Sequence, residues 1–587
     1  MWGRRANVRT GGSFPCAAGP NVSPVIRRED ALAALDGEPF DLVVVGGGIT
    51  GAGVALDAAS RGYSVALVER DDYASGTSSR SSKLIHGGLR YLQNFDLGLV
   101  REALLERALL VNLSPHLVRP LPLLVPAFEG KHPQRALGVG LNMYDAMATD
   151  RLRLPGRRRR GDGDGIEEWS PDRHRVVDGD EVKRLLPALA SREPTAAYLF
   201  YDCQTDDVRL VLTVLGEAER YGAVMVNRCE VTELIDADGR AAGVRCHDRV
   251  SGRDLEVRAT NVVNATGVWA DTIRSEELYA EEEVPQIRPS RGTHITLAHE
   301  SLPLVAGAIV PVGDGRTIFT LPWLGRTLVG TTDNDYEGPL DHVPPDEADV
   351  DYLLGACNRF FDLALDRADL TGAYAGVRPL ISTGDSKKPV DISRKAELFE
   401  TSSGLVTITG GKLTTWRRMA KMAVDRIVER EGREAPCRTH ELPLGLPARP
   451  EELVDAGDDE SAALLAHRYG YAAREVLAIA AADPSLRARV VPDLPDLLAE
   501  LPFAVRNEQA VTLADVLLRR TRVGLLDAPR LVAPDSPEAR AAAAAMGTEL
   551  AWDDARVAQE LDDWRAVASA EGIASSPAPA EGAPVAP

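Results

Sequence analysis

The segment Gly46-Gly47-Gly48-Ile49-Thr50-Gly51 carries the clearest chemical signal in this chain. It ends the apolar run Asp41–Val45 and opens a helical stretch, with Gly53 behind it. In such a strand–turn–helix unit Gly46 permits the tight turn and Gly48 lets the backbone approach a pyrophosphate. Gly51 lets helix and strand pack closely. The helix N-terminus then offers unpaired N–H groups and the positive end of its dipole to the anion. The next apolar run, Ser64–Glu69, ends on an acid placed to accept hydrogen bonds from a ribose diol. Glycines alone would mark only a turn. The agreement of strand, helix, second strand and Glu69 favours dinucleotide binding.

The whole chain sets the frame for that unit. Its 587 residues exceed one compact domain and imply two or three. Apolar residues at 44% supply a sizeable core. The net charge of −21 repels phosphate backbones, which argues against nucleic acid as a partner, and an anionic substrate would need a locally basic pocket. The six cysteines form no C-x-x-C pair, which fits free thiols in a reducing compartment. No apolar run reaches the roughly 18 residues that span a bilayer, and the first residues lack the apolar core of a secretory signal. No His/Cys/carboxylate cluster has metal-ligand spacing, so no metal is expected.

Along the chain, residues 1–38 read as a flexible extension and 571–587 as a disordered Pro/Ala-rich tail. The arginine run that begins at Arg157 reads as a solvated loop. Between the ends lies an α/β pattern. Leu97–Leu113 has helical spacing, and Asn261–Gly267 and Leu405–Gly411 are apolar strands that end in glycine. HITLAH, IVPVGDG, TIFTLPW and RTLVGTT are β-rich and imply a second, mainly antiparallel sheet. The expected fold is α/β: a Rossmann-like dinucleotide domain interleaved with an antiparallel β substrate domain over 39–436, then a C-terminal α-helical domain over 437–570. The fingerprint alone does not separate NAD from FAD. One fingerprint near the N-terminus, with strand–glycine segments at Gly267 and Gly411 far downstream, suits a long cofactor embedded across a whole domain, as FAD is.

Several motifs resemble the respiratory, FAD-dependent glycerol-3-phosphate dehydrogenase family. They are VVVGGGITGAGVALDAASRG, GTSSRSSKLIHGGLRYL, YDCQTDDVRLV, NATGVWAD, RGTHI, TLPWLGRTLVGTTD, YAGVRPL and TGGKLTTWRRMA. The likeness spans about Asp41 to Thr415 and continues more weakly to about Ala570. SSKLIHGGLRYL and GGKLTT, in order with GVRPL between them, are its most specific part. Val268 stands where the family usually has proline, which alters a turn and touches no chemistry.

The resemblance implies oxidation of sn-glycerol 3-phosphate to dihydroxyacetone phosphate, with hydride passed to non-covalent FAD and electrons on to the quinone pool. It implies a cytoplasmic protein held peripherally by lipid at the inner face of the cell membrane, with a homodimer left open. Removing a hydride from a carbinol needs a base for the hydroxyl proton and cations for the phosphate and developing alkoxide. By resemblance Arg90, Arg378, Arg394 and Lys412 converge on the substrate: Arg394 and Lys412 on the phosphate, Arg90 with Tyr91 orienting it. Arg378 and His294 are the candidate bases. An arginine keeps its proton, whereas histidine titrates near neutrality. The hydroxyl-rich stretch Thr77-Ser78-Ser79-Arg80-Ser81-Ser82-Lys83 reads as a polar loop or as flavin contacts. The resemblance favours the second reading, through Thr77, Ser78, Ser79, Ser82, Lys83 and His86. Gly411, Lys412 and Thr414 open a helix whose N-terminus would face the flavin N1–O2 edge, and Thr331–Asp333 would lie near the substrate face. The competing readings are an oxidase that uses O2 on the same substrate, a related amino-acid or 2-hydroxy-acid flavoenzyme, and a flavin-binding scaffold without turnover.

Overall fold

The computed structural model describes residues 27–89, 96–129, 135–149, 173–273, 286–313, 316–382 and 396–574. Strand Phe40–Val45 reads as a continuous apolar run because both of its faces are covered. Leu42 and Val44 enter one core and Val43 and Val45 the other, following the two-residue period of a strand. The strand runs parallel between Val65–Val68 and Asp254–Asn264. The sheet continues to Val224–Val226 on one side and to Val406–Gly410 and Ala396–Glu400 on the other.

Helices Ile49–Ser60, Asp207–Arg220 and Trp416–Glu431 cover the first face. Two of them meet at Gly53, where an added Cβ would lie 2.6 Å from the Trp416 ring. Two strands, Cys229–Ala237 and Arg240–Asp248, join the start of Asp254–Asn264 in an antiparallel layer over the second face. Helix Arg28–Leu35 also closes that face through Leu32 and Leu35, and Arg28 pairs with Asp248. This corrects the flexible extension expected through residue 38. Two leucines at i,i+3 spacing give the helix an apolar stripe that a reading by composition passed over.

The second sheet has ten strands and is mainly antiparallel, as expected. Its longest pairing, Ile287–Ala298 with Leu370–Ile381 at one edge of the sheet, stays in register along nearly its whole length. The helices that follow Asp459 pack behind this sheet. There Leu321, Trp323, Leu328 and Tyr374 share a core with Leu517, Val523, Leu526 and Trp564. The docked chain runs past residue 570, against expectation. Glu571 pairs with Arg80 at 2.6 Å, and the buried Ile573 accepts the Ala373 N–H at 2.9 Å. These contacts are long-range, so the composition of the tail does not announce them. The rest of the tail, the arginine run at 157–160 and residues 1–26 lie outside the described residues. Cys203, Cys229, Cys246, Cys357 and Cys437 are free thiols.

Buried ion pairs tie these layers together. Arg417 grips Glu106 with two hydrogen bonds, 2.8 and 2.6 Å, joining helix Trp416–Glu431 to helix Leu97–Leu113. Removing one partner leaves a desolvated charge without its counter-ion. Glu106→Leu is therefore expected to destabilise this domain by about 3–5 kcal/mol, read as a lowered urea midpoint of its unfolding transition.

Candidate flavin and substrate site

A cavity of about 430 Å³ opens at the C-terminal ends of the parallel strands and reaches the pair Ile287–Ala298 and Leu370–Ile381 of the second sheet. That is where an open α/β sheet binds its ligands. At its nucleotide end Gly46 has φ +110, and a Cβ there would lie 2.7 Å from the Ala265 carbonyl oxygen. A Cβ on Gly51 would lie 1.9 Å from the Gly46 oxygen, so Gly51 packs and does not line the cavity. Gly48 caps helix Ile49–Ser60 and does line it. The Glu69 carboxylate accepts the Gly47 and Asp71 N–H groups at 2.6 and 2.8 Å, and burial pushes its carboxyl up to about 7.

Loop residues close the cavity along its length. Ser78 Oγ accepts the Ile49 N–H at 3.0 Å, and Thr77 Oγ1 donates to the Val377 carbonyl at 2.6 Å. Across from them, Gly267 and Gly411 line the cavity with φ +63 and +69. Thr414 Oγ1 accepts the His86 N–H at 3.1 Å and joins two of the lining segments. The groove is a cradle that side chains would fill, bounded by helix N-termini and hydroxyls. Its residues fit an extended dinucleotide such as FAD.

The other end is built from cross-strand pairs. Ser290 faces Arg378, Gly292 faces Gly376, and His294 faces Tyr374. The two-residue period puts all six on one face. The paired glycines make a floor that puts no side chain of these strands between the guanidinium and the imidazole, and Gly376 lets Arg80 pack at 2.6 Å from where its Cβ would be. A Cβ on Gly292 would lie 2.4 Å from Arg378 Nη2. Arg378 donates to Asp333 Oδ1 at 3.1 Å, Thr331 Oγ1 at 3.1 Å and the Thr332 carbonyl at 3.2 Å. His294 is 2% exposed, stacks on Tyr374 with centroids 4.8 Å apart, and meets Ser82 Oγ through Nε2 at 2.8 Å. Burial first, then the charges of Lys83 and Arg378, hold its imidazole well below the usual range. Lys412 caps the turn Leu413–Thr415 and lines the same cavity.

Two expected flavin contacts lie behind the wall. Lys83 is fully buried, with Nζ donating to Asp207 Oδ2 at 2.7 Å and the Ser79 carbonyl at 2.6 Å. These acceptors favour the ammonium, while burial and then Arg522 pull it down to about 7. Ser79 Oγ turns back to the Gly76 carbonyl at 3.3 Å. Both residues support the loop, whereas Ser78 and Ser82 face the cavity. Arg90, Tyr91 and Arg394 lie outside the described residues. Sequence reasoning missed the glycine floor, although its signal is present: a glycine stands two residues before both His294 and Arg378. It also missed Trp269, which lines the cavity beneath the Arg70 guanidinium at 5.0 Å.

The two glycine sites separate cofactor retention from turnover. At Gly51 the obstacle is backbone, and Gly51→Ala is expected to cost about 1–3 kcal/mol and to lower the flavin content of the purified protein. At Gly292 the obstacles are side-chain ends, the Arg378 guanidinium and the Thr331 hydroxyl at 2.5 Å. Gly292→Ala is expected to keep its flavin absorbance and melting temperature while substrate turnover falls with the displaced guanidinium.

The chain matches the family described as FAD dependent oxidoreductase over residues 41–426, and the C-terminal domain of alpha-glycerophosphate oxidase over 406–557. It is 36% identical over 577 residues to glycerol-3-phosphate dehydrogenase 2 of Mycobacterium tuberculosis, a match covering 96% of this chain and 94% of the relative. The aerobic glycerol-3-phosphate dehydrogenase of Bacillus subtilis is 34% identical over 84% of this chain and 89% of its own. A solved structure, the glycerol-3-phosphate dehydrogenase of Bacillus halodurans complexed with FAD, superposes with a TM-score of 0.73 at 28% identity, covering 94% of this chain and 98% of that one. FAD is the cofactor of this family and of this chain. The chain belongs to the FAD-dependent glycerol-3-phosphate dehydrogenase family.

Proposed function

We propose that this protein oxidises the secondary alcohol of sn-glycerol 3-phosphate to the ketone of dihydroxyacetone phosphate and delivers the electrons to a membrane quinone. The observation that carries the reading is the glycine floor, flanked by Arg378 and His294, at one end of a flavin cavity. Bound FAD, held without a covalent link, supplies the hydride acceptor. The protein's own groups do the rest. A substrate dianion approaching a chain of net charge −21 must be met by local cations. Arg378 and Lys412 line the cavity, and the family likeness adds Arg90 and Arg394. Arg378 keeps its proton and its fork is fixed by Asp333 and Thr331, so it stabilises the developing alkoxide and leaves proton transfer to another group. His294, held neutral, accepts the hydroxyl proton.

The likeness of 406–557 to a domain named for an oxidase favours a second reading, in which O2 accepts the electrons. Under the quinone reading the protein works at the inner face of the cell membrane, bound peripherally to lipid. No helix among the described residues is long and apolar enough to cross a bilayer.

Anaerobic glycerol 3-phosphate is expected to bleach the flavin band of the purified protein. Bleaching by sarcosine or 2-hydroxyglutarate but not by glycerol 3-phosphate would overturn the substrate assignment. Arg378→Lys should slow the limiting reduction rate by about 10²–10³-fold. A base must be deprotonated to act, and the His294 imidazole sits below its ordinary value of about 6.5, so the rate should hold as pH falls past that value and decline only lower. Saturating substrate keeps the free substrate's phosphate ionisation, about 6, out of the profile. Reoxidation by a soluble quinone without hydrogen peroxide separates dehydrogenase from oxidase.

A further inference from the structure

We propose that Lys83, Asp207 and Arg522 form a buried positioning triad for the Ser82–His294 pair, and that this triad is what the C-terminal helical domain contributes to catalysis. The inference rests on the reading of His294 as the base.

None of the three residues lines the cavity, and each is fully buried or nearly so. Arg522 precedes the short helix Val523–Leu526 of the C-terminal domain. Its Nη2 donates to Asp207 Oδ1 at 3.0 Å and to the Ser79 carbonyl at 2.9 Å. Asp207 Oδ2 accepts from Lys83 Nζ at 2.7 Å, from Ser81 Oγ at 2.7 Å and from the Ser81 N–H at 3.1 Å. Ser79, Ser81 and Lys83 are thus all tied to one carboxylate–guanidinium unit, and Ser82 is the residue between two of them. Lys83 has φ +59, a conformation that a lysine holds only when its surroundings impose it. The loop geometry that aims Ser82 Oγ at His294 Nε2 is therefore imposed from behind.

A second path reaches the histidine directly. The Lys83 ammonium lies over the Tyr374 ring at 4.9 Å, and the Tyr374 hydroxyl donates to the Ser81 carbonyl at 2.8 Å. The same ring stacks on His294. The charged groups that act on His294 are Lys83 from the loop and Arg378 from the neighbouring strand, both positive. The C-terminal domain also presses on the strands that carry this stack. Leu525 accepts from Thr296 Oγ1 at 2.8 Å, and a Cβ on Gly372 would lie 2.2 Å from the Leu525 oxygen. Replacing a buried ion cluster by packed apolar residues is often neutral or stabilising, so stability alone does not explain charges in this place.

The test uses the FAD-loaded protein carrying 13C-labelled histidine, with the His294 resonance assigned by its loss in His294→Asn. In the wild type its titration midpoint should lie well below about 6.5; a midpoint at or above that value overturns the proposal without any variant. Lys83→Met removes a positive charge and should raise the midpoint, and with it the acid limb of flavin reduction, by about one pH unit. Lys83→Arg should restore both. Arg522→Met keeps the ammonium but frees the loop. It should slow limiting reduction by about tenfold or more with little change in the substrate concentration for half-maximal rate, while the midpoint stays low. Variants that lose melting temperature but leave the midpoint, the acid limb and the limiting rate at wild-type values mean a merely structural triad. The midpoint is read without substrate, so a failure of glycerol 3-phosphate to bleach the wild type counts against the proposed function and not against the triad.

Discussion

The buried Asp207 carboxylate is the fixed point of the substrate end. It begins helix Asp207–Arg220, where the helix dipole favours an anion, and its neighbour Asp206 caps the same helix through the Val208 and Arg209 N–H groups. A desolvated carboxylate demands cations and donors. Lys83 and Ser81 supply them from the flavin loop, and Arg522 from the C-terminal domain. Three distant segments therefore cannot be placed independently. Asp72 repeats the arrangement nearby, where Arg519 and Arg520 of the same C-terminal turn converge on one buried acid of the flavin domain.

The cavity is shaped by what is missing as much as by what lines it. At the nucleotide end, Gly46 and Gly51 allow a turn and a strand–helix contact that backbone oxygens would deny to any Cβ. At the other end, Gly292 and Gly376 are ordinary extended residues, and their value lies in making room: Gly292 for the Arg378 guanidinium and the Thr331 hydroxyl, Gly376 for Arg80. Gly330 does the same for the imidazole, since a Cβ there would lie 2.2 Å from His294 Cδ2. One residue type serves two physical ends: conformational freedom at the fingerprint turn, and clearance for the Arg378 and His294 side chains at the other end.

What the sequence revealed follows from the range of each signal. The fingerprint unit, the apolar strands and helix Leu97–Leu113 are local patterns, and the structure reproduces them. The second sheet was legible from its β-rich runs, but its register was not, so the facing of Gly292 with Gly376 stayed hidden although both glycines were in view. Of the stretch Thr77–Lys83, residues Thr77, Ser78, Arg80, Ser81 and Ser82 line the cavity. Which of its residues face inward depends on Asp207, over a hundred positions later in the chain, and so Ser79 and Lys83 were put on the wrong side of the wall. Helix Arg28–Leu35 and the docked Glu571–Ile573 failed for the same reason, since their partners lie far away in sequence.

A single electrostatic setting serves the proposed chemistry. Cations in a low-dielectric pocket draw in a dianion that the acidic surface would otherwise repel, and they favour charge developing on the substrate oxygen. The same field lowers the proton affinity of His294, which keeps the imidazole ready to accept but makes it a weaker base. The two demands oppose each other. A further cation near the floor would tighten substrate binding and weaken proton removal, and losing one would do the reverse. Placing Lys83 behind the wall, paired with Asp207, moderates that conflict: its charge reaches the imidazole through the Tyr374 stack but is kept off the substrate. Under the proposed function, substrate binding falls to Arg378 and Lys412 on the open side; Arg378 then acts on affinity and base strength together, and Lys83 on base strength alone.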